Sequence, residues 1–292
     1  MRFANAIFDP LWNRTHIRSV EIAWKEDIGV GERGRYFDEY GIVRDVMQNH
    51  LLQILALVAM ERPRSLRANA VRDEKVKVLR AIRPPRMDDV VVGQYGAAAG
   101  KGGPLPGYCE EKYIPKGSLT PTFAAAVLRV NNPRWRGVPF LITAGKALAD
   151  RMTEIRIRFK NLQENLFCDG GGCPPANELV IRVQPDESIH IRIVNKVPGV
   201  KMRLAETELD LQYAAKFDEV IPDAYEHLLL DVMKGDRSLF IRRDELAAAW
   251  DVFTPVLHEM EEKKVVPEPY EFGSSGPAGA GRLAKRAGIT GE

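Results

Sequence analysis

The sequence predicts an α+β fold, a large and mainly antiparallel sheet covered on one face by helices, on three observations. Apolar residues recur with helical spacing only in Ile42–Met60, Arg72–Ile82 and two late segments. From Asp88 onward the apolar period switches from 3.6 to 2. Successive strand-like runs are joined by short turns rather than crossover helices, which implies antiparallel pairing with one solvated face.

In chain order, Ile17–Trp24 alternates imperfectly (Ile17, Val20, Ile22, Trp24) and fits a strand with one covered face. A charged, Gly-rich turn, Lys25–Gly34, comes next. Val43, Met47, Leu51, Ile54 and Val58 then mark an amphipathic helix, with Gly41 at its start and Pro63 beyond its end. Arg72–Ile82 is a second helix with Asp73 and Glu74 in its first turn. Val90–Tyr95 and Phe123–Val130 read as strands flanking a Gly/Pro-rich loop. Thr153–Lys160 alternates cleanly, with Ile155, Ile157 and Phe159 on one face and Glu154, Arg156, Arg158 and Lys160 on the other. Leu179–Val183 and Ile189–Ile193 flank Gln184-Pro185-Asp186-Glu187 and read as a hairpin, continued by Leu209, Leu211 and Tyr213. Helices over Asp223–Met233 and Arg243–Glu262 close a domain spanning 1–270. The Gly/Ser-rich run from Glu271 predicts a flexible tail over 271–292.

The 42 basic and 40 acidic residues leave a net charge of +2, so no global field selects nucleic acid or membrane. The longest apolar stretch, Leu51–Met60, is too short to span a bilayer, and a cytoplasmic location is expected. Cys109, Cys168 and Cys173 cannot close a disulfide framework, so reduced thiols are expected. The spacing of Cys168 and Cys173 does not suit zinc, and no metal is expected.

Two phosphate-loop lookalikes fail on context. Gly29-Val30-Gly31-Glu32-Arg33-Gly34 matches the dinucleotide fingerprint, but Lys25-Glu26-Asp27 separates it from the strand and Gly41 interrupts the chain seven residues after the third glycine. Gly96–Gly102 has the wrong spacer and no hydroxyl for magnesium.

Chemistry concentrates in Arg44-Asp45-Val46-Met47-Gln48-Asn49-His50, five hydrogen-bonding side chains beside an apolar stripe. Asp45 and His50 lie five residues apart, about 140° around a helix of 3.6 residues per turn. If His50 is a general base, that geometry asks for an orienting carboxylate from elsewhere. On the sheet, Arg156, Arg182, His190 and Arg192 fall opposite the apolar positions, forming either a cationic face or an ordinary solvated one.

Several ordered blocks now carry a resemblance. They include Arg2-Phe3-Ala4-Asn5, Leu11-Trp12-Asn13-Arg14, Tyr36-Phe37-Asp38-Glu39-Tyr40-Gly41 and Arg44–Gln53. Val71–Leu79, Gly137-Val138-Pro139-Phe140, Gly145-Lys146-Ala147-Leu148 and Asn177–Pro185 complete the set. Together they resemble the C-terminal domain of the glucose-6-phosphate dehydrogenase family, over residues 2 to about 277. The resemblance implies oxidation of glucose 6-phosphate at C1 to the lactone, with hydride passing to NADP, in the oxidative pentose phosphate pathway. It implies His50 as the base for the C1 hydroxyl proton, and Glu26, Asp45, Lys146, Arg151 and Gln184 as substrate-binding residues. Arg156, Arg182, Arg192 and Asp210 match a structural NADP site of some members. Thr143, Met152 and Ser275 replace basic residues of that site, so weak or absent binding is expected there.

The family's NADP-binding domain and its Asp-His-Tyr-Leu-Gly-Lys-Glu segment are not in this sequence. The expectation is a substrate-binding half that is inactive alone, partnered by an NADP-binding domain or full-length subunits, and homo-oligomeric through its sheet. The alternative is a non-catalytic oligomerisation or regulatory partner.

Overall fold

The computed structural model describes residues 1–100, 103–168, 173–217 and 224–289. A nine-stranded mixed sheet organises them. Strand β1 (Ile17–Lys25) leads into a helical segment, α1 (Gly34–Ile42), a π-helix (Val43–Leu51), α2 (Leu52–Ala59) and α3 (Ala68–Ala81). Then come β2 (Val90–Gly96), a small hairpin of β3 (Ala98–Gly100) and β4 (Gly103–Leu105), β5 (Phe123–Arg129), β6 (Pro139–Gly145) and β7 (Met152–Phe159). The chain continues through β8 (Glu178–Gln184), β9 (Ser188–Lys196), β10 (Leu204–Gln212), α4 (Tyr213–Lys216) and α5 (Ala224–Lys234). It closes with α6 (Arg243–Glu262), β11 (Glu268–Glu271) and α7 (Ala278–Arg286).

The strand order is β10-β9-β8-β7-β1-β6-β5-β2-β11. Two pairs, β1–β6 and β2–β11, are parallel; the rest are antiparallel. The mainly antiparallel sheet therefore stands. Of the strands that the sequence pattern misses, β6 sits beside β1 at the centre of the sheet and β11 at its edge. Pro139-Phe-Leu-Ile-Thr-Ala-Gly145 is nearly continuous in apolar residues, as a strand covered on both faces should be, and so lacks the alternation that marks strands in sequence.

The register separates two faces. Trp24, Ala144, Ala124 and Val92 share a row, and Ile22, Ile155, Ile181, Ile189 and Leu211 another, so the apolar face runs the width of the sheet. The π-helix packs on its centre, against β1 and β6, with α3 and α6 behind. Met47, Leu51, Leu52, Leu55, Ile22 and Ile142 are all fully buried there, and burial of such side chains contributes roughly 1.5–3 kcal/mol each. The opposite face carries the charged residues of β7–β10. At its other end, Gly93, Phe123 and Gly145 share a row, and the turn leading into α7 crosses them. A Cβ on Gly93 would meet Pro277 at 2.9 Å, and one on Gly276 would meet Phe123 at 2.7 Å.

Three expectations are corrected. The run read as a flexible tail from Glu271 forms the end of β11 and then α7, with Leu283, Ala284 and Ile289 buried; 290–292 lie outside the described residues. Its Gly/Ser content serves a tight turn, where Gly273 and Gly276 take positive φ. Cys168 and Cys173 are joined by a disulfide, so only Cys109 is free. The helix expected from Ile42 is preceded by a further helical segment from Gly34 that the sequence pattern does not mark, and the two meet at Gly41 (φ 66°, ψ 169°), a conformation that glycine alone adopts freely. The helix predicted over Asp223–Met233 is α5, its first residue lying outside the described residues. Among the described residues no helix is long and apolar enough to cross a membrane.

Candidate active site

The site lies where the parallel strands β1 and β6 end together. Their last backbone bonds interlock the exits: Glu26 N–H donates to Gly145 O (2.9 Å), and Leu148 N–H to Glu26 O (2.9 Å). Glu26 and Lys146 thus leave the sheet side by side, and their side chains form an ion pair, largely buried on the lysine side. Lys146 Nζ also lies 5.4 Å from the centre of the Phe37 ring, brought over it by α1. The lysine backbone is held at both ends: its N–H donates to Thr122 O (3.0 Å), and its carbonyl accepts from the Tyr270 hydroxyl (2.7 Å). Burial pushes the Tyr270 phenol far above its ordinary value, so it stays protonated as that donor.

His50 meets this pair through Trp24. The imidazole stacks on the indole with ring centres 5.2 Å apart and planes 23° apart. The indole N–H donates to Glu26 Oε1 (3.2 Å). A continuous chain of contacts therefore runs His50–Trp24–Glu26–Lys146–Phe37. His50 is exposed, and neither ring nitrogen hydrogen-bonds to a described residue, so the ring is held in place yet free to accept a proton.

The angle between Asp45 and His50 differs from the α-helical expectation, although no hydrogen bond joins the two among the described residues. Val43–Leu51 is a π-helix, in which hydrogen bonds run from i to i+5, as Leu52 N–H donating to Met47 O illustrates. Residues five apart then fall on one face, so Asp45 and His50 share a face rather than diverging by about 140° as on an α-helix. Gln48, fully buried on this segment, donates to Trp250 O (3.2 Å) and ties it to α6.

The remaining candidates lie around the same strand ends. Met152 pairs with Lys25, and one step further in that antiparallel register Arg151 comes opposite Glu26. Arg151 is exposed and pairs with no carboxylate among the described residues. Gln184 pairs with Thr153, which pairs with Trp24, and its amide donates to Thr153 Oγ1 (3.3 Å). Trp24, Phe37 and Tyr270 were not among the expected site residues. Trp24 reads in sequence as the last apolar position of a strand, and only the π-helix above it gives it a second role.

The second expected site differs from a free cationic face. Arg156 bonds Glu154 and Glu178 (both 2.9 Å), Arg182 bonds Glu154 (3.0 Å), and Arg192 lies 3.4 Å from Glu178 and 3.9 Å from Glu208. His190 Nδ1 lies 2.9 Å from Asp210. Burial opposes ionisation of Glu178, but Arg158 and Arg156 overcome it and hold its carboxyl below the usual range. Glu154 and Glu178 link Arg156, Arg182 and Arg192, and Asp210 lies beside His190 on the adjoining strands, all inside a charge-balanced network.

The Gly29–Gly34 turn is occupied by packing. A helix does start at its third glycine, contrary to the sequence reading, but the glycines are needed elsewhere. A Cβ on Gly29 would lie 2.4 Å from Glu111 and 2.9 Å from the Tyr95 hydroxyl, and one on Gly34 would lie 2.5 Å from Lys112 O. Val30 N–H donates to Tyr95 (3.0 Å). Glu111, Lys112 and Ile114 thus pack against the first and third glycines, while Gly31 between them stands open at φ 51°. The outer two glycines are therefore accounted for by packing, and the strand-turn-helix continuity that a dinucleotide fingerprint requires is broken at Lys25-Glu26-Asp27 and Gly41.

Comparison with known proteins decides the family. Residues 1–290 match the family described as "Glucose-6-phosphate dehydrogenase, C-terminal domain". The chain belongs to the glucose-6-phosphate dehydrogenase family. It is 57% identical over 289 residues to a chloroplastic glucose-6-phosphate 1-dehydrogenase of Arabidopsis thaliana, covering 98% of this chain and 48% of that protein. It is 52% identical to the Dictyostelium discoideum enzyme, covering 99% and 58%. A cytoplasmic Arabidopsis relative is 49% identical. A solved structure, "Glucose-6-phosphate dehydrogenase in complex with its substrate glucose-6-phosphate", superposes with a TM-score of 0.93 at 43% identity, covering 100% of this chain and 60% of that one. The family is NADP-dependent, and the chain spans about half the length of the curated relatives it matches.

Proposed function

We propose that this chain is the sugar-phosphate-binding, proton-abstracting part of a glucose 6-phosphate 1-dehydrogenase. The observation that carries the reading is the exposed His50 imidazole, without a hydrogen-bond partner on either nitrogen among the described residues and stacked on an indole that is bonded to the Glu26–Lys146 pair. In this reading His50 takes the C1 hydroxyl proton as hydride leaves C1, closing the lactone carbonyl; neutral imidazole suits that step near neutral pH. Glu26 and Asp45 accept hydrogen bonds from sugar hydroxyls, Lys146 and Arg151 supply positive charge to the substrate, and Gln184 adds a neutral polar contact. NADP supplies the hydride acceptor when bound. Because Gly29 and Gly34 are engaged in packing and the turn lacks the context of a dinucleotide fingerprint, we place its binding outside this chain, on an NADP-binding domain. No stored structural NADP is assigned to Arg156, Arg182, Arg192 and Asp210: the three arginines pair with Glu154, Glu178 and Glu208, and Asp210 with His190.

The same reading includes self-association through the apolar face of β8–β10, where Val183 and Leu209 stay exposed at 39% and 57%, and a cytoplasmic site of action, supported by the cytoplasmic relative. The test is reconstitution: the chain, mixed with or fused to a separately made NADP-binding domain, should give glucose-6-phosphate-dependent NADPH, and His50→Asn should lower turnover by roughly 10²–10⁴-fold. No NADPH from the fusion, or turnover within about tenfold after His50→Asn, defeats the reading.

A further inference from the structure

A second cleft lies at the far end of β1, nine residues and roughly 30 Å from Glu26. Its volume is about 340 Å³, and its lining includes Arg14, Arg18, Arg136, Lys160 and Gly137. None of the described residues lining it is acidic.

What distinguishes this cluster is how its cations are spent. Next to it, the arginines of the charged sheet face are neutralised: Arg158, for example, bonds Glu21 (2.7 Å) and Glu178 (2.6 Å). Two residues before Arg136, Arg134 makes a two-pronged pair with Glu61 (2.7 and 2.6 Å). Arg14, Arg18 and Arg136 form no ion pair or side-chain hydrogen bond with any described residue. Four like charges in one cleft repel each other, so the arrangement costs stability unless an anion enters.

The backbone around them is fixed in advance. Arg14 N–H donates to Arg134 O (2.7 Å), Lys160 N–H to His16 O (2.7 Å), and Lys160 Nζ to Arg14 O (2.8 Å). Trp135 is fully buried and donates to Ala59 O (2.8 Å), which anchors the turn bearing Arg136 and Gly137. Gly137, at φ 91°, has open space where a Cβ would stand and an N–H with no partner among the described residues. Guanidinium forks on a rigid frame, with a spare backbone donor, suit phosphoryl oxygens better than a single carboxylate.

We propose that this cleft is an anion site for a small phosphorylated molecule carrying at least two negative charges. It is separate from the sugar-phosphate site and independent of the functional reading above.

The test is calorimetric titration of pyrophosphate, and of inorganic phosphate, into the full chain at low salt. Pyrophosphate should bind saturably at one site and more tightly than phosphate. Arg136→Glu should weaken it roughly 10- to 100-fold, the loss expected for a hydrogen bond to a charged group. Arg136→Lys should weaken it less, because it keeps the charge but loses the fork. Arg62→Glu, an exposed arginine elsewhere, should leave it unchanged; should Arg136→Glu fail to show a cooperative melt, Arg14→Glu replaces it with the same expectation. Absence of saturable pyrophosphate binding at millimolar concentration overturns the proposal. So does equal weakening by Arg62→Glu, which indicates net charge alone, and so does binding of heparin without pyrophosphate, which indicates a long polyanion. Because no turnover is measured, failure here leaves the sugar-phosphate reading untouched.

Discussion

The His50 imidazole lies nearly parallel to the Trp24 indole, 5.2 Å between centres, so the position of the proposed base is set by a strand residue rather than by its own helix. Trp24→Leu removes the stack and the indole bond to Glu26 together. In the reconstituted enzyme this change should lower kcat/KM by roughly 10- to 100-fold, because small misplacement of a reacting group is costly. The loss should fall mainly in kcat, with the melting temperature little changed, since Trp24 is only half-buried. Steady-state kinetics with a parallel melting curve checks it; unchanged kcat refutes the positioning role.

Tyr270 reaches the site from β11, donating to the Lys146 carbonyl and contacting Thr122 Oγ1 (2.9 Å). Tyr270→Phe keeps the ring and deletes the hydroxyl, leaving a buried carbonyl short of a donor. That should cost about 1–3 kcal/mol of stability and raise the KM for glucose 6-phosphate severalfold while sparing kcat. Denaturant melts and initial rates would show both effects. A KM equal to that of the parent would mean Lys146 is held without the tyrosine.

How much of the fold and site is legible in the sequence depends on which physical signal carries each part. The alternation of β7–β10 comes from one apolar and one charged face, a local pattern, and the Gln184–Glu187 turn shows in its composition. Residues 243–262 form the predicted helix without adjustment. Strand β6 is hidden because burial on both faces erases alternation, and β11 because four residues show no period. The π-helix is invisible because Asp45-Val46-Met47-Gln48-Asn49-His50 also suits an α-helix; the wider register is a tertiary effect, seen in Gln48 bonding Trp250. Glu26 and Lys146 stand out only through family resemblance, and the parallel pairing of β1 with β6 explains why they touch.

The Gly29–Gly34 turn offers a clean separation of packing from phosphate binding. Gly29→Ala would force a methyl to within 2.4 Å of Glu111 and 2.9 Å of Tyr95. Overpacking of this kind typically costs about 1–3 kcal/mol. The melting temperature should fall, while any affinity of the chain for NADP, measured by calorimetry, should not change. A selective loss of NADP binding with an unaltered melt would restore the fingerprint to its nucleotide meaning.

Glu178 is where the charge-balanced face becomes a pH dependence. Its carboxyl faces Arg156, Arg158 and Arg192, and despite opposing burial these hold it below the ordinary glutamate value. A carboxyl whose folded value is depressed contributes stability above its unfolded value and loses that contribution as pH falls through the folded one. Glu178→Gln should therefore lower stability by about 1–3 kcal/mol at pH 7, and the difference from the parent should shrink to nothing below the glutamate range, near pH 3 or lower. Glu21, whose carboxyl burial raises, works in the other sense: its protonation on mild acidification stabilises the fold and partly masks the loss in the parent. Because the two carboxyls share Arg158, the comparison is made in a Glu21→Gln background, with urea melts from pH 7 to about 3. A pH-independent difference would show that Glu178 acts through shape and hydrogen bonding rather than through charge.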